Sequence, residues 1–151
     1  MPSQQSSLLF QVATPGLSRR DLRAFLKRLE AEVAEGRAFC CLIAGDAELE
    51  RLNREFRGKD YPTDVLSFPS AAGQAGGLPH GEIAISYDAA RRQSIEYGHA
   101  VDQEIQILML HGLLHLLGMD HEKDGGRMLS AERKWRIRLG LPAGLIERVS
   151  A

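Results

Sequence analysis

The chain has 151 residues, of which 44% are hydrophobic and 26% charged. This composition indicates one globular domain with a core of its own, and it excludes a disordered tail protein, a collagen-like repeat and a membrane protein. Nineteen basic residues against twenty acidic residues give a net charge of -1, so any contact with nucleic acid must be local.

Neither the cysteines nor the N-terminal segment indicates export. Cys40 and Cys41 are adjacent, and neighbours in a strand point to opposite faces, so they fit neither a disulfide framework nor a paired metal site. Residues 1–16 carry no positive charge before a short apolar stretch, and the chain has no apolar run of about eighteen residues. We therefore expect a cytoplasmic protein that makes no use of a membrane.

Hydrophobic spacing predicts four strands, each a short apolar run bounded by turn residues. They cover residues 8–12, 39–44, 63–68 and 82–86. Residues 70–80 contain three glycines and a proline and are predicted to form a loop.

Five helices are predicted around these strands, three of them with a capping residue. Ser18, Asp46 and Asp102 are the expected caps of the first, second and fourth helices. The first helix should end at residue 36, the second near 56, the third near 97 and the fourth at 118, and the fifth should span about 129–139.

The order of these elements indicates the fold class. Strands come early in the chain and helices late, which favours an α+β fold over a regular doubly wound one. We predict a single domain over residues 1–151, with a mixed sheet of about four strands covered by about five helices. The helix at 104–117 is apolar nearly all round, so it should be central and buried, and it carries the candidate metal site.

Three of the five histidines lie within eleven residues at the end of this helix. His111 and His115 are four apart and share a helix face, and Gly118 can turn the chain so that His121 reaches the same face. A lone buried His is usually satisfied by a local hydrogen bond, but these three match every ligand position of the long zinc-protease motif His-Glu-x-x-His-x-x-Gly-x-x-His. We therefore predict one zinc ion per chain with a fourth position open for catalysis, although nickel or copper would suit the same ligands.

One departure from that motif argues against a peptidase. Gly112 stands where the protease has its general-base Glu. A metal could still activate water or polarise a phosphoryl oxygen. Asp120 and Glu122 flank His121 and are candidates for a base or for a partner of an imidazole N–H. Asp120 could equally cap the turn after Gly118.

A basic cluster precedes the third predicted strand. Arg51, Arg54 and Arg57 recur at a spacing of three, and Lys59 follows two residues later. Four basic side chains in nine residues can bind phosphate, which makes Arg51, Arg54 and Lys59 candidates for phosphate contacts, for example with a nucleic acid. The alternative is a solvated helix face whose bases pair with neighbouring glutamates.

Three segments of the chain resemble the successive signatures of the YbeY family. They are RGKDYPTDVLSFP at 57–69, GEIAIS at 81–86 and HGLLHLLGMDH at 111–121. The ordered match spans roughly residues 50 to 140. The sequence departs from the commoner family residues at Met119, Glu82 and His80.

The resemblance implies a function and a site. Members of this family are bacterial, single-domain, zinc-dependent endoribonucleases that act in rRNA maturation and ribosome quality control. By resemblance, His111, His115 and His121 would be the zinc ligands, and Arg57 the arginine needed for activity. The implied substrate is single-stranded rRNA, and the ribosome or its proteins would be partners.

Two other functions stay open at this point. The chain could be a non-catalytic ribosome assembly factor with a structural zinc ion, or a metallopeptidase, which Gly112 disfavours. RNA cleavage that requires metal and His115 would distinguish an enzyme from an assembly factor.

Overall fold

A four-stranded mixed sheet lies at the centre of the fold. The computed structural model describes residues 6–69, 81–120 and 123–150. The strands are β1 (Ser7–Phe10), β2 (Cys40–Ala44), β3 (Val65–Pro69) and β4 (Gly81–Ser86). They follow the order β1-β2-β4-β3, in which β1, β2 and β4 are parallel and β3 is antiparallel to β4. The predicted α+β fold with a mixed sheet of about four strands is confirmed.

Six helices occur in the described residues, one more than the sequence predicted. They are α1 (Arg19–Glu32), α2 (Asp46–Arg57), α3 (Tyr87–Tyr97), α4 (Val101–Leu116), α5 (Arg127–Leu139) and α6 (Leu145–Ser150). The additional helix is α6, whose six residues are too few to display a helical repeat. The loop predicted at 70–80 lies outside the described residues.

One predicted cap is confirmed and two are wrong. Ser18 caps α1, because its hydroxyl accepts a hydrogen bond from the Asp21 N–H at 3.2 Å. Asp46 is the first residue of α2 rather than its cap, and Asp102 lies inside α4. Both carboxylates bind groups on other elements instead. Asp46 accepts from the Ser86 hydroxyl at 2.7 Å, and Asp102 accepts from the Ser18 N–H at 3.3 Å.

Alternation along the strands gives the sheet two different faces. Ile43, Ile83 and Ile85 are fully buried in the main core, together with α1 and α4. On the opposite face, Ala44 and Ala84 pack with Leu49 of α2 in a smaller cluster. The sheet therefore separates α2 from the central helix α4.

The helix α4 is central and buried, as the sequence predicts. Eleven of its sixteen residues are buried. It contacts β3, β4, α1, α3, α5 and α6. No helix in the described ranges is long and apolar enough to cross a membrane.

Candidate metal centre

The end of α4 brings two histidines together. His111 is buried and His115 half-buried, and their Nε2 atoms are 3.2 Å apart. The two rings meet edge to face with centroids 4.8 Å apart. Two nitrogen ligands of one tetrahedral zinc ion lie about 3.3 Å apart when the Zn–N bonds are about 2.0–2.1 Å long. The observed spacing therefore fits two ligands of a single zinc ion.

Gly118 turns the chain back across the end of α4. Its φ of +94° lies in the left-handed region that glycine adopts without strain. The Gly118 N–H donates to the His115 carbonyl at 3.0 Å, and the Met119 N–H donates to the Leu114 carbonyl at 3.1 Å. As a result, Met119 and Asp120 line the same cleft as the two histidines.

The third predicted ligand stays a prediction. His121 and its neighbour Glu122 both lie outside the described residues. Within ranges 6–69, 81–120 and 123–150, no group of three His, Cys, Asp or Glu side chains is placed to hold a metal ion. The described part of the site thus contains two candidate nitrogen ligands, His111 and His115.

Both histidines face an open cleft with a volume of about 570 Å³. Ser67 lines it from β3, Asp64 from the residue before that strand, and Leu145 from α6. Asp120 lines it from the turn after α4, and Arg57 from the end of α2. Parts of the chain distant in sequence therefore converge on one polar cleft that can admit a substrate.

Arg57 reaches the cleft from the last residue of α2. The helix ends there because Gly58 adopts a left-handed φ of +67°. The Arg57 side chain is exposed, and within the described residues no carboxylate lies in ion-pair distance of it. A guanidinium in this position can bind a phosphate next to the histidines.

The other predicted phosphate-binding residues do not line the cleft. Arg51 pairs with Glu48 at 2.6 Å and with Glu55 at 2.9 Å. Arg54 pairs with Asp60 at 3.4 Å, and Lys59 is exposed. The pairing of this face with carboxylates agrees with the alternative interpretation for Arg51, and phosphate binding by the three residues stays a prediction.

Gly112 allows α4 to lie very close to the sheet. A Cβ atom at this position would be 2.7 Å from Ile83 Cγ2 and 3.3 Å from Val65 Cγ2. The Ser67 hydroxyl donates to the Gly112 carbonyl at 2.8 Å, which fixes this contact. A glutamate base of the zinc-protease type would have no room here, in agreement with the argument from sequence against a peptidase.

Glu132 of α5 belongs to the site and is missed by the sequence analysis. Its Oε2 atom is 2.8 Å from His111 Nδ1, and the residue is only 1% exposed. It lies four residues after Met128 and seven before Leu139, both buried, and so occupies the apolar stripe of α5. A carboxylate on a buried stripe requires a partner, and this position could have identified it.

A larger groove of about 830 Å³ lies on the α2 side of the sheet. It is mainly apolar, with Leu42, Phe56 and Phe68 among its lining residues, and none of the histidines that the structure describes lines it. Arg57 borders both this groove and the cleft of the two histidines. The candidate chemistry therefore belongs to the smaller cleft, because among the described residues the candidate metal ligands His111 and His115 line that cleft together with Arg57.

The molecule thus belongs to the class of α+β proteins with a single mixed sheet and a cleft lined by histidines. A known structure shares this fold over most of the chain. The solution structure of TM1509 from Thermotoga maritima matches with a TM-score of 0.59 over 85% of both chains, at 25% identity.

Family comparisons identify the chain more closely. The family model described as Endoribonuclease YbeY matches residues 15–139. A relative of that name from Solibacter usitatus is 58% identical over 146 residues, covering 97% of this chain and 96% of the relative. Another from Koribacter versatilis is 45% identical over 136 residues, covering 89% and 86%. The chain belongs to the YbeY family of endoribonucleases.

Proposed function

We propose that the chain is a zinc-dependent endoribonuclease that cleaves single-stranded regions of rRNA during rRNA maturation and ribosome quality control. The observation that carries the zinc site is the pair of Nε2 atoms of His111 and His115, 3.2 Å apart and facing an open cleft. Family membership supports RNA as the substrate. Action on rRNA implies a cytoplasmic protein that meets the ribosome or ribosomal proteins.

His111 and His115 would hold one zinc ion per chain, with His121 as the third ligand. Three neutral imidazoles leave a fourth tetrahedral position open, which is typical of catalytic zinc sites. Bound zinc would supply a Lewis acid that favours attack on a phosphodiester. The side chains of the cleft bind and orient the RNA around that position.

Arg57 would bind the scissile phosphate or the one next to it. Its planar guanidinium can donate two parallel hydrogen bonds, whose spacing matches two oxygens of one phosphate. In the transition state the negative charge on these oxygens increases, so a positioned arginine stabilises that state more than the bound substrate. Arg54 and Lys59, exposed next to it, would position the strand through further phosphate contacts, and Arg51 would join them by exchanging its glutamate partners.

A carboxylate near the histidines would accept the proton of the attacking water. Asp120 lines the cleft and would take this role. Glu122 is the second candidate from the sequence. Asp64, which also lines the cleft, accepts a hydrogen bond from Gln93 Nε2 at 3.1 Å, and its carboxylate is thereby held in place.

The decisive experiment combines metal analysis with RNA cleavage. Untagged protein should contain one zinc ion per chain and cleave single-stranded RNA, and both properties should be lost in His115→Ala. Arg20→Ala changes an exposed arginine of α1 and serves as the matched control, which should retain both. Zinc with no cleavage would favour the assembly factor, and casein cleavage would favour the peptidase.

A further inference from the structure

We propose that Glu132 is a positioning residue that holds His111 in the tautomer required for metal binding and couples the docking of α6 to the metal site. This inference rests on the proposed zinc site. Glu132 does not line the cleft, so it would act through His111 rather than on the substrate.

The contact between Glu132 and His111 selects one imidazole tautomer. Glu132 Oε2 lies 2.8 Å from His111 Nδ1, and the two residues are 1% and 7% exposed. In the proposed arrangement Nδ1 carries the proton, because a carboxylate only accepts hydrogen bonds. The lone pair is then on Nε2, which is the atom facing His115 Nε2. A carboxylate on the second ring nitrogen of a metal-binding histidine both orients the ring and increases its basicity.

The second oxygen of the same carboxylate binds the start of α6. Glu132 Oε1 accepts a hydrogen bond from the Ile146 N–H at 2.9 Å. The carboxylate also lies directly against Gly144, where an added Cβ would overlap it. One buried carboxylate thus bridges a metal-ligand candidate on α4 and the backbone of α6.

Further ion pairs fix α6 in this position. Arg148 pairs with the fully buried Glu104 of α4, at 2.9 and 3.0 Å. Glu147 accepts a hydrogen bond from Arg136 of α5 at 2.8 Å. Because these contacts set the position of Ile146, they also set the orientation of the Glu132 carboxylate. A displacement of α6 would therefore reach His111 through a single side chain.

The test replaces Glu132 by glutamine, which has the same shape but one oxygen and one NH2 group. Both of its neighbours donate hydrogen bonds, so the amide can accept from only one of them. Zinc affinity, measured by competition with a chromophoric chelator, should fall about 10–100-fold in Glu132→Gln. Glu147→Gln loosens α6 without contacting His111, so it tests the coupling, and we expect a smaller loss of zinc affinity; an unchanged affinity would overturn the coupling to α6. Glu96→Gln on the exposed face of α3 is the matched control and should bind zinc as tightly as the wild type.

A second measurement determines the tautomer of His111 and requires neither bound metal nor catalytic activity. Long-range 15N NMR of the zinc-free protein should place the proton of His111 on Nδ1 in the wild type. In Glu132→Gln the share of the Nε2–H tautomer should rise, because the NH2 group can then donate to Nδ1. If Glu132 had only a structural role, Glu132→Gln would lower the melting temperature and leave both the His111 tautomer and the zinc affinity unchanged.

Each possible outcome of these measurements either supports or overturns the role proposed for Glu132. It is overturned by a folded Glu132→Gln variant that binds zinc as tightly as the wild type, or by a wild-type His111 protonated on Nε2. If the wild type binds no zinc at all, the proposed function fails, and the NMR spectrum still tests the positioning role. If Glu132→Gln does not fold, the wild-type spectrum and the shorter Glu132→Asp side chain provide the test.

Discussion

Gly112 separates the two histidines of α4 at a point where the helix touches the sheet. Its immediate neighbours are Ile83, Val65 and the hydroxyl of Ser67. A Cβ atom here would displace Ile83, although glycine inside a helix costs about 1 kcal/mol relative to alanine. Close packing of α4 on β4 therefore outweighs helix propensity here.

Substitutions at Gly112 should destabilise the protein in order of size. Gly112→Ala gains helix propensity but displaces Ile83, so we expect a net loss of about 1 kcal/mol in the free energy of unfolding. Gly112→Glu also buries a charge, and we expect a loss of at least about 3 kcal/mol. Urea unfolding measures both. Equal stability of the three proteins would contradict the close contact.

Arg57 is exposed, so its proposed role depends on the charge and shape of its guanidinium group rather than on packing. We expect Arg57→Ala to leave the melting temperature and zinc content nearly unchanged and to reduce RNA cleavage about 100-fold or more, as loss of a transition-state contact does. Arg57→Lys should recover only part of the rate, because an ammonium group lacks the planar fork. Arg20→Ala, at an exposed position of α1 that does not line the cleft, is the control and should leave cleavage unchanged. Loss of folding in Arg57→Ala would show a structural role instead.

At the scale of elements, Glu147 ties α6 to α5 in a way that depends on pH. The Arg136 guanidinium holds the pKa of Glu147 at about 2, below its ordinary value of 4.5. A carboxyl group with a lowered pKa in the folded state stabilises the fold above its unfolded pKa, and this contribution is lost as the pH falls.

Acid should therefore weaken the attachment of α6. We expect the free energy of unfolding to fall by about 1–2 kcal/mol between about pH 4.5 and 2 through Glu147, after allowance for solvent around its arginine partners. Glu147→Gln should remove this part of the pH dependence. Urea unfolding at a series of pH values measures it, with Glu96→Gln on the exposed face of α3 as control. An identical pH dependence in both variants would be the contrary result.

The sequence predicts the long elements well and the tertiary contacts poorly. The pattern of apolar residues is enough for α4, which is apolar nearly all round, and for the four strands, each a short apolar run between turn residues. The caps Asp46 and Asp102 are mispredicted because their carboxylates bind groups on other elements, Ser86 and the Ser18 backbone. α6 is missed because its position depends on contacts with α4 and α5.

In the candidate site, too, local features are predicted from the sequence and tertiary contacts are not. The spacing of His111 and His115 is a local helical property, so the sequence predicts their proximity. Glu132 lies 21 residues after His111, and only the packing of α5 on α4 reveals the contact. The structure likewise reveals that Arg51 has carboxylate partners while Arg57 faces the cleft.

For the whole molecule, the proposed zinc ion should act as a stabilising ligand. A ligand that binds only the folded state adds about 4 kcal/mol at a thousand times its dissociation constant. In a protein of this length that corresponds to a rise of about 10 °C in melting temperature. A chelator should remove this increment from the wild type. His115→Ala should melt at the same temperature with and without chelator, and a persistent difference would indicate another metal site.

The strand order of the sheet also bears on how the chain reaches its native state. Ser7 pairs with Cys40, and Cys40 pairs with Glu82, so the parallel pairings join residues far apart in sequence. Closing such long loops costs entropy before any contact forms, and sheets of this kind fold slowly. During synthesis all four strands precede α4, and Ile43, Ile83 and Ile85 of the sheet share their core with that helix. A delay before α4 packs would therefore leave this apolar face of the sheet exposed in an aggregation-prone intermediate.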